Sequence, residues 1–300
     1  MRNRYRSYDT KSAFHAFGRG VNAQPSPFRN GSNARSARAQ AGGMRDRLDG
    51  ESTLRLGFGQ AELRRPDIHR LVLWNIDLTL VDVAKVSRVA FAEAFRTVTG
   101  RPLVKLPQMA GRTEPETFFE ALALNGVSLR GAGSERLLAP FGAEYATALA
   151  SRRDLVATEG QLLAGAKESM AAVATVKGVV ASVLTGSSKP NAVLKLRVFG
   201  LDRYVDLNIG GFGSEAYPRG TLLRVTRQRA EDKYGGSLPD GATIYIADSP
   251  RDVEAARIGG ATSVAVASGR SSTGELREAG ADHVLPDLTD TNRLISIITA

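Results

Sequence analysis

The chain has 300 residues, 42% apolar and 24% charged, with no cysteine and only three histidines. That length supports one or two sizeable cores. The missing cysteines exclude disulfides, thiolate catalysis and Cys-ligated metals, and His15, His69 and His283 are too scattered for a histidine-built metal site or a Ser-His-Asp triad.

The net charge of +9 is concentrated at the start. Residues 1–70 hold 14 Lys/Arg against 6 Asp/Glu, and the remainder is close to neutral, so the basic character says little about the partners of an active site. Residues 1–65, with stretches such as FGRGVNAQPSPFRNGSNARSARAQAGG, show no helix or strand period and too few large apolar groups to offset chain entropy. They read as a disordered basic arm. A transit peptide, non-specific RNA binding or a true start nearer Met44 are alternative readings. The arm's aromatics (Tyr5, Tyr8, Phe14, Phe17, Phe28) sit in no recognisable module, so no specific nucleic-acid partner is expected. No apolar run approaches the roughly 20 residues of a membrane helix, so no membrane partner is expected, and the lack of cysteine fits the cytoplasm.

From residue 70 short apolar runs recur: LVLW (71–74), VVASVL (179–184), VDLNI (205–209), TIYIA (243–247), TSVAV (262–266) and HVL (283–285). Segments with helical spacing lie between most of them. Continuously apolar strands alternating with helices predict an α/β fold, a Rossmann-like parallel sheet buried on both faces.

The interval 83–160 offers no strand. SRVAFAEAFRTVTG stops at Gly100, and GRTEPETFFEALALNG carries Thr113 and Glu116 in capping-box relation with Pro115 in the first turn. SERLLAPFGAEYATALASRR is again helical, with a break expected near Pro140–Gly142. The predicted organisation is a core of 66–82 and 161–300 with a helical insertion, 83–160, after the first strand.

Ligands of parallel α/β sheets bind beyond the carboxyl ends of the strands. There the first strand is followed by Asn75, Asp77 and Thr79, the second run by Thr185 and Gly186, and TIYIA by Asp248 and Asp252. Carboxylates for a divalent cation, with hydroxyl and N–H groups for phosphate oxygens, suit phosphoryl transfer. Singly, each group has a plainer reading: Thr185-Gly186 an ordinary turn, Asp248 a helix N-cap, Arg251 and Asp252 a solvated helix face. Their common position at one sheet edge favours a site.

In this order the motifs resemble the haloacid dehalogenase-like (HAD) superfamily, in its phosphoglycolate phosphatase and β-phosphoglucomutase-like branch. N-I-D-L-T stands where that family has D-x-D-x-[TV], LTG at 184–186 where it has a strand ending in Ser or Thr, and IADSPRDVEAARIGGA where it has a strand followed by G-D-x-x-x-D. The likeness covers about residues 70–295, with the insertion where the family carries a cap domain.

The resemblance implies a Mg²⁺-dependent phosphatase acting on a small phosphorylated metabolite. Position 75 would be the nucleophile and Asp77 the general acid and base. Asn75, Asp77 and Asp248 would hold Mg²⁺ with support from Asp252. Thr185 and Gly186 would grip the phosphoryl group, beside Thr79. Arg219, in GSEAYPRG, would supply the third-motif cation with Lys189 as accessory, and Arg112, in AGRTEPE, would contact the distal part of the substrate.

Asn75 departs from the pattern. An amide oxygen lacks the charge of a carboxylate, which weakens both covalent attack and cation binding. Three readings stay open: a hydrolase with impaired or altered chemistry, a non-catalytic phosphate-ester binder, or a substitution introduced to trap substrate.

Overall fold

Short apolar runs bounded by polar turns build a six-stranded parallel sheet. The computed structural model describes residues 68–127, 133–215 and 218–300. The arm expected over 1–65 lies outside the described residues. The sheet strands are β1 (Arg70–Trp74), β4 (Val179–Thr185), β5 (Gly211–Phe212), β6 (Thr243–Ala247), β7 (Thr262–Val266) and β8 (His283–Leu285), in the order β5-β4-β1-β6-β7-β8. The register sets Trp74 opposite both Val183 and Ile246, so β1 is central. The connection from β1 runs to β4 on one side and that from β6 to β7 on the other, which makes the edge beyond Trp74 the topological switch point where such sheets bind ligands.

The strands are buried on both faces. Val72, Trp74, Ile244 and Ile246 join the larger apolar cluster, and Leu71, Leu73, Tyr245 and Ala247 the smaller. Helices α7 (Arg219–Tyr234) and α8 (Pro250–Gly259) cover the second face through Leu222, Leu223, Ala230 and Ala256. Helices α5 (Ala166–Val173), α6 (Lys189–Val198) and α10 (Thr291–Thr299) add Met170, Leu196 and Leu294 to the first. Helix α9 (Thr273–Glu278) starts at a Ser272/Glu275 capping box.

Four helices follow β1: α1 (Ala84–Thr99), α2 (Glu114–Leu124), α3 (Gly133–Ala150) and α4 (Arg153–Glu159). Gly100, at φ 68°, ends α1, since this left-handed position suits glycine. Thr113 and Glu116 close both arms of a capping box on α2. Phe141 stacks on Phe118 at 4.2 Å and meets Phe91 edge-on at 4.9 Å, joining α1, α2 and α3. These aromatics belong to the same apolar cluster as Val72 and Trp74 of the sheet. Two short strands, β2 (Val81–Asp82) and β3 (Gln161–Leu162), pair antiparallel and tie the way into the four helices to the way out.

Two local expectations change. VDLNI is not a strand. Asp202–Tyr204 forms a 3-10 turn, and the edge strand is Gly211–Phe212. Asp206 keeps one backbone bond to the sheet, its N–H donating to Ala181 O at 2.8 Å, but its carboxylate accepts from the Asn208 N–H at 3.0 Å and pairs with Lys233, and this side-chain turn keeps the segment from continuing as a strand. Helix α3 also runs through Pro140 without ending. Pro140 is exposed, so the hydrogen bond its ring removes is lost on the solvent side.

Candidate active site

Residues 75–81 form one tight turn in which the Leu80 and Val81 N–H groups return to the Ile76 carbonyl at 2.9 and 3.1 Å. Leu78 adopts φ 62°, an uncommon conformation for a branched residue. The Asn75 N–H donates to Ile246 O at 2.9 Å, which fixes Asn75 beside the end of β6. Its Nδ2 donates to Asp77 O (3.1 Å), Thr79 Oγ1 (3.3 Å) and Asp248 Oδ1 (3.0 Å). Thr79 also donates to Asp248 Oδ1 at 2.9 Å. Asn75, Thr79 and Asp248 are all buried.

The Asp77 carboxylate turns the other way. Lys195 Nζ lies 2.8 and 2.7 Å from its two oxygens, and Ser187 Oγ donates to it at 3.0 Å. The ammonium also donates to Ser187 Oγ at 2.8 Å, so all three of its protons have acceptors. Lys195 is 2% exposed, whereas the Asp77 side chain is 40% exposed into the cleft. Sequence reasoning missed this lysine. The signal was available: Lys195 falls on the buried stripe of α6, with Asn191, Ala192 and Leu196 at helical spacing.

Asp252 lies in the floor of the site. It pairs with Arg219, accepts from Tyr245 Oη at 2.8 Å and takes the Ser249 hydroxyl. Ser249 caps α8 through the Asp252 N–H, so the plainer readings of Asp248 as the N-cap and Asp252 as a solvated residue do not hold. Burial opposes the Arg219 charge, but Asp252 beside it outweighs that and holds the guanidinium above its usual range. Burial pushes the Tyr245 hydroxyl well up, so it stays protonated and donates.

Burial, with Asp252 close by, pushes the Asp248 carboxyl up to about 7, against the hydrogen bonds from Thr79 and Asn75. Between the ordinary 3.8 and about 7 the folded chain holds a proton that the unfolded chain has released. This contribution to stability is complete below 3.8 and is lost as pH rises through about 7. The loss is at most about 1.4 kcal/mol per pH unit. Asp248→Asn is expected to flatten that part of the stability curve, and parallel curves for both proteins in metal-free urea melts would count against the assignment.

The start of α2 crosses directly over this edge. The Glu114 N–H donates to Gly186 O at 2.9 Å, and Arg219 Nη2 reaches Arg112 O at 3.5 Å. A Cβ at Gly186 would overlap the Arg112 carbonyl oxygen, so the close approach requires glycine. Gly186→Ala is expected to cost about 1–3 kcal/mol through overpacking. An unchanged melting temperature would show that the two segments do not meet in solution. Glu114 is 8% exposed, and burial raises its carboxyl pKa against Lys195 and the Asn191 amide, which donates at 2.9 Å.

Between α1–α3 and the sheet edge lies a cleft of about 100 Å³. Of the residues expected at a site, Asn75, Asp77, Gly186, Arg112 and Arg219 line it. Thr79 and Asp248 sit behind Asn75, and Thr185 is buried with its Oγ1 accepting from the Ser187 N–H at 3.2 Å. Arg112 is paired with Glu120. Lys189 is exposed, with its ammonium 5.4 Å from the Phe212 ring centre, and does not line the cleft. Among the described residues no three His, Cys, Asp or Glu side chains cluster as a metal centre.

A family model for haloacid dehalogenase-like hydrolases matches residues 72–257, more than half of the chain. No curated relative matches it. Similar solved structures include a hydrolase from Pseudomonas syringae (20% identity, 77% of this chain and 99% of that one, TM-score 0.55). A β-phosphoglucomutase from Clostridium difficile is 13% identical over 77% of this chain and 97% of its own, with TM-score 0.57. A predicted phosphatase from Clostridium acetobutylicum is 18% identical over 76% and 99%, with TM-score 0.58.

Proposed function

The chain belongs to the haloacid dehalogenase-like hydrolase family, and from that membership we propose that its cleft takes a small phosphate monoester whose hydrolysis is slow because position 75 is asparagine. The observation that carries this reading is the Asn75 side chain itself. It occupies the centre of the switch-point edge, yet its Nδ2 is committed to Asp77 O, Thr79 Oγ1 and Asp248. A carboxylate there would attack phosphorus; an amide carries no charge with which to do so.

In this reading helices α1–α4 act as the cap over the core, and the Asp77 and Gly186 N–H groups with Arg219 face the phosphoryl oxygens. Asp77 is the acid and base, and Lys195 both orients its carboxylate and adds positive charge beside it. Arg112 and Glu114 stand where the rest of the substrate would lie. No helix among the described residues is long and apolar enough to cross a membrane. A cytoplasmic location, with a phosphorylated metabolite as partner, is part of the proposal.

The family's chemistry uses Mg²⁺, and the residues present do not fit it. The oxygens that would face the ion, Asp77 O and Asp248 Oδ1, already face a nitrogen bearing hydrogens. One carboxylate remains where the family's pattern has two, and Mg²⁺ needs oxygens at about 2.0–2.1 Å in near-octahedral order. An aspartate at position 75 restores the second carboxylate.

A second reading, ligand binding without turnover, is favoured by the ion pair that holds Asp77. Assaying the chain and its Asn75→Asp variant with Mg²⁺ against a panel of phosphate monoesters separates the two. Slow wild-type turnover that rises in the variant supports the hydrolase. Turnover only in the variant supports the binder. Equal turnover in both overturns the role given to position 75.

A further inference from the structure

Asp77 O, Thr79 Oγ1 and Asp248 Oδ1 surround one point, and the Asn75 Nδ2 fills it at 3.0–3.3 Å. Three oxygens turned toward one another require a positive partner between them. Two amide hydrogens supply it here, shared among three acceptors, while the Thr79 hydroxyl adds a second donor to Asp248. We infer that the Asn75 amide does the electrostatic work a divalent cation does elsewhere in this family, so that the cleft binds a phosphate group without a metal ion. This rests on the phosphate-monoester reading above and goes beyond it.

The charges around the point agree. Asp77 is matched by Lys195 and Asp252 by Arg219. Asp248 is the one unmatched carboxylate of the three, and it carries two hydrogen bonds from neutral donors. An aspartate at 75 would set a second carboxylate about 3 Å from it, and two such groups do not both ionise without a cation. The asparagine removes that requirement. It also removes the repulsion that a dianionic phosphate would meet at this edge.

Donors for the anion remain. The Asp77 and Gly186 N–H groups have no protein acceptor among the described residues, and both residues line the cleft. The exposed side chains of Arg88 and Arg270 also line the cleft, with no side-chain hydrogen bond or ion pair to a described residue. Backbone N–H groups ringed by guanidinium groups bind phosphate by charge and geometry alone.

The test is calorimetric titration of the full chain with inorganic phosphate, in EDTA and in Mg²⁺, for the wild type and Asn75→Asp. The wild-type affinity is expected to agree within about twofold between the two conditions, and the variant to bind at least about tenfold more tightly with Mg²⁺, a difference near 1.4 kcal/mol. Mg²⁺ alone should raise the melting temperature of the variant and leave the wild type unmoved, which also reports that the variant is folded. Wild-type phosphate binding that needs Mg²⁺ overturns this inference and leaves the phosphate reading standing. Absence of phosphate binding by the wild type in both conditions overturns the two together.

Discussion

Asn75→Asp, assayed with saturating Mg²⁺ on its best phosphate monoester, is expected to turn over about 10⁴- to 10⁶-fold faster than the wild type, the order of loss when a member of a nucleophilic catalytic group is removed and positioning alone remains. The new carboxylate inherits a finished setting. The backbone at 75 is fixed by Ile246 O, Asp77 and Asp248 stand on either side, and Lys195 and Arg219 are already charged and buried. The substitution also replaces one charge-neutral hydrogen-bonding cluster with a pair of carboxylates about 3 Å apart, whose repulsion only a cation or a shared proton relieves. Gain of turnover should therefore appear together with Mg²⁺-dependent thermal stability. A variant that becomes Mg²⁺-stabilised yet stays inactive would locate the block elsewhere, at the Asp77–Lys195 pair. In that case Lys195→Met, which frees the Asp77 carboxylate, is the next variant to assay.

Asp252→Ala is expected to destabilise the fold by about 3–5 kcal/mol, because it leaves the Arg219 guanidinium buried and unpaired. For the region described, that corresponds to a fall in melting temperature on the order of 6–20 °C. The Asp252 side chain is buried, the residue being 1% exposed, and holds three groups at once: Arg219, the Tyr245 hydroxyl and the Ser249 hydroxyl. Removing it also strips Tyr245 Oη of one of its two acceptors, leaving Leu184 O at 3.1 Å. A double variant, Asp252→Ala with Arg219→Met, should recover part of the loss, since it removes the stranded charge. A single variant that melts within about 2 °C of the wild type would mean that water reaches Arg219 and that the pair is not buried in solution.

Much of the fold was legible because it depends on local chemistry. TIYIA, TSVAV and HVL became β6, β7 and β8 at the expected residues, since continuous apolar runs between polar turns have few alternatives to a strand buried on both faces. Gly100 and the Thr113/Glu116 pair marked helix ends through interactions spanning only three or four residues. VDLNI failed where a side chain competed with the ladder: Asp206 draws the backbone into a turn and meets Lys233 and Tyr234 from α7, partners that lie 27 and 28 residues away.

The amino-acid sequence by itself determined the alternation of strands and helices, the family motifs and the substitution at position 75, because periodicity, capping and residue identity are properties of neighbours along the chain. Only the tertiary structure decided which atom of Asn75 faces Asp248, that Asp252 is buried against Arg219, and that Lys195, on the inner face of α6, holds Asp77. Those are pairings across 33 to 173 residues. Their partners, and the burial that makes them strong, exist only once the sheet has brought its carboxyl ends together.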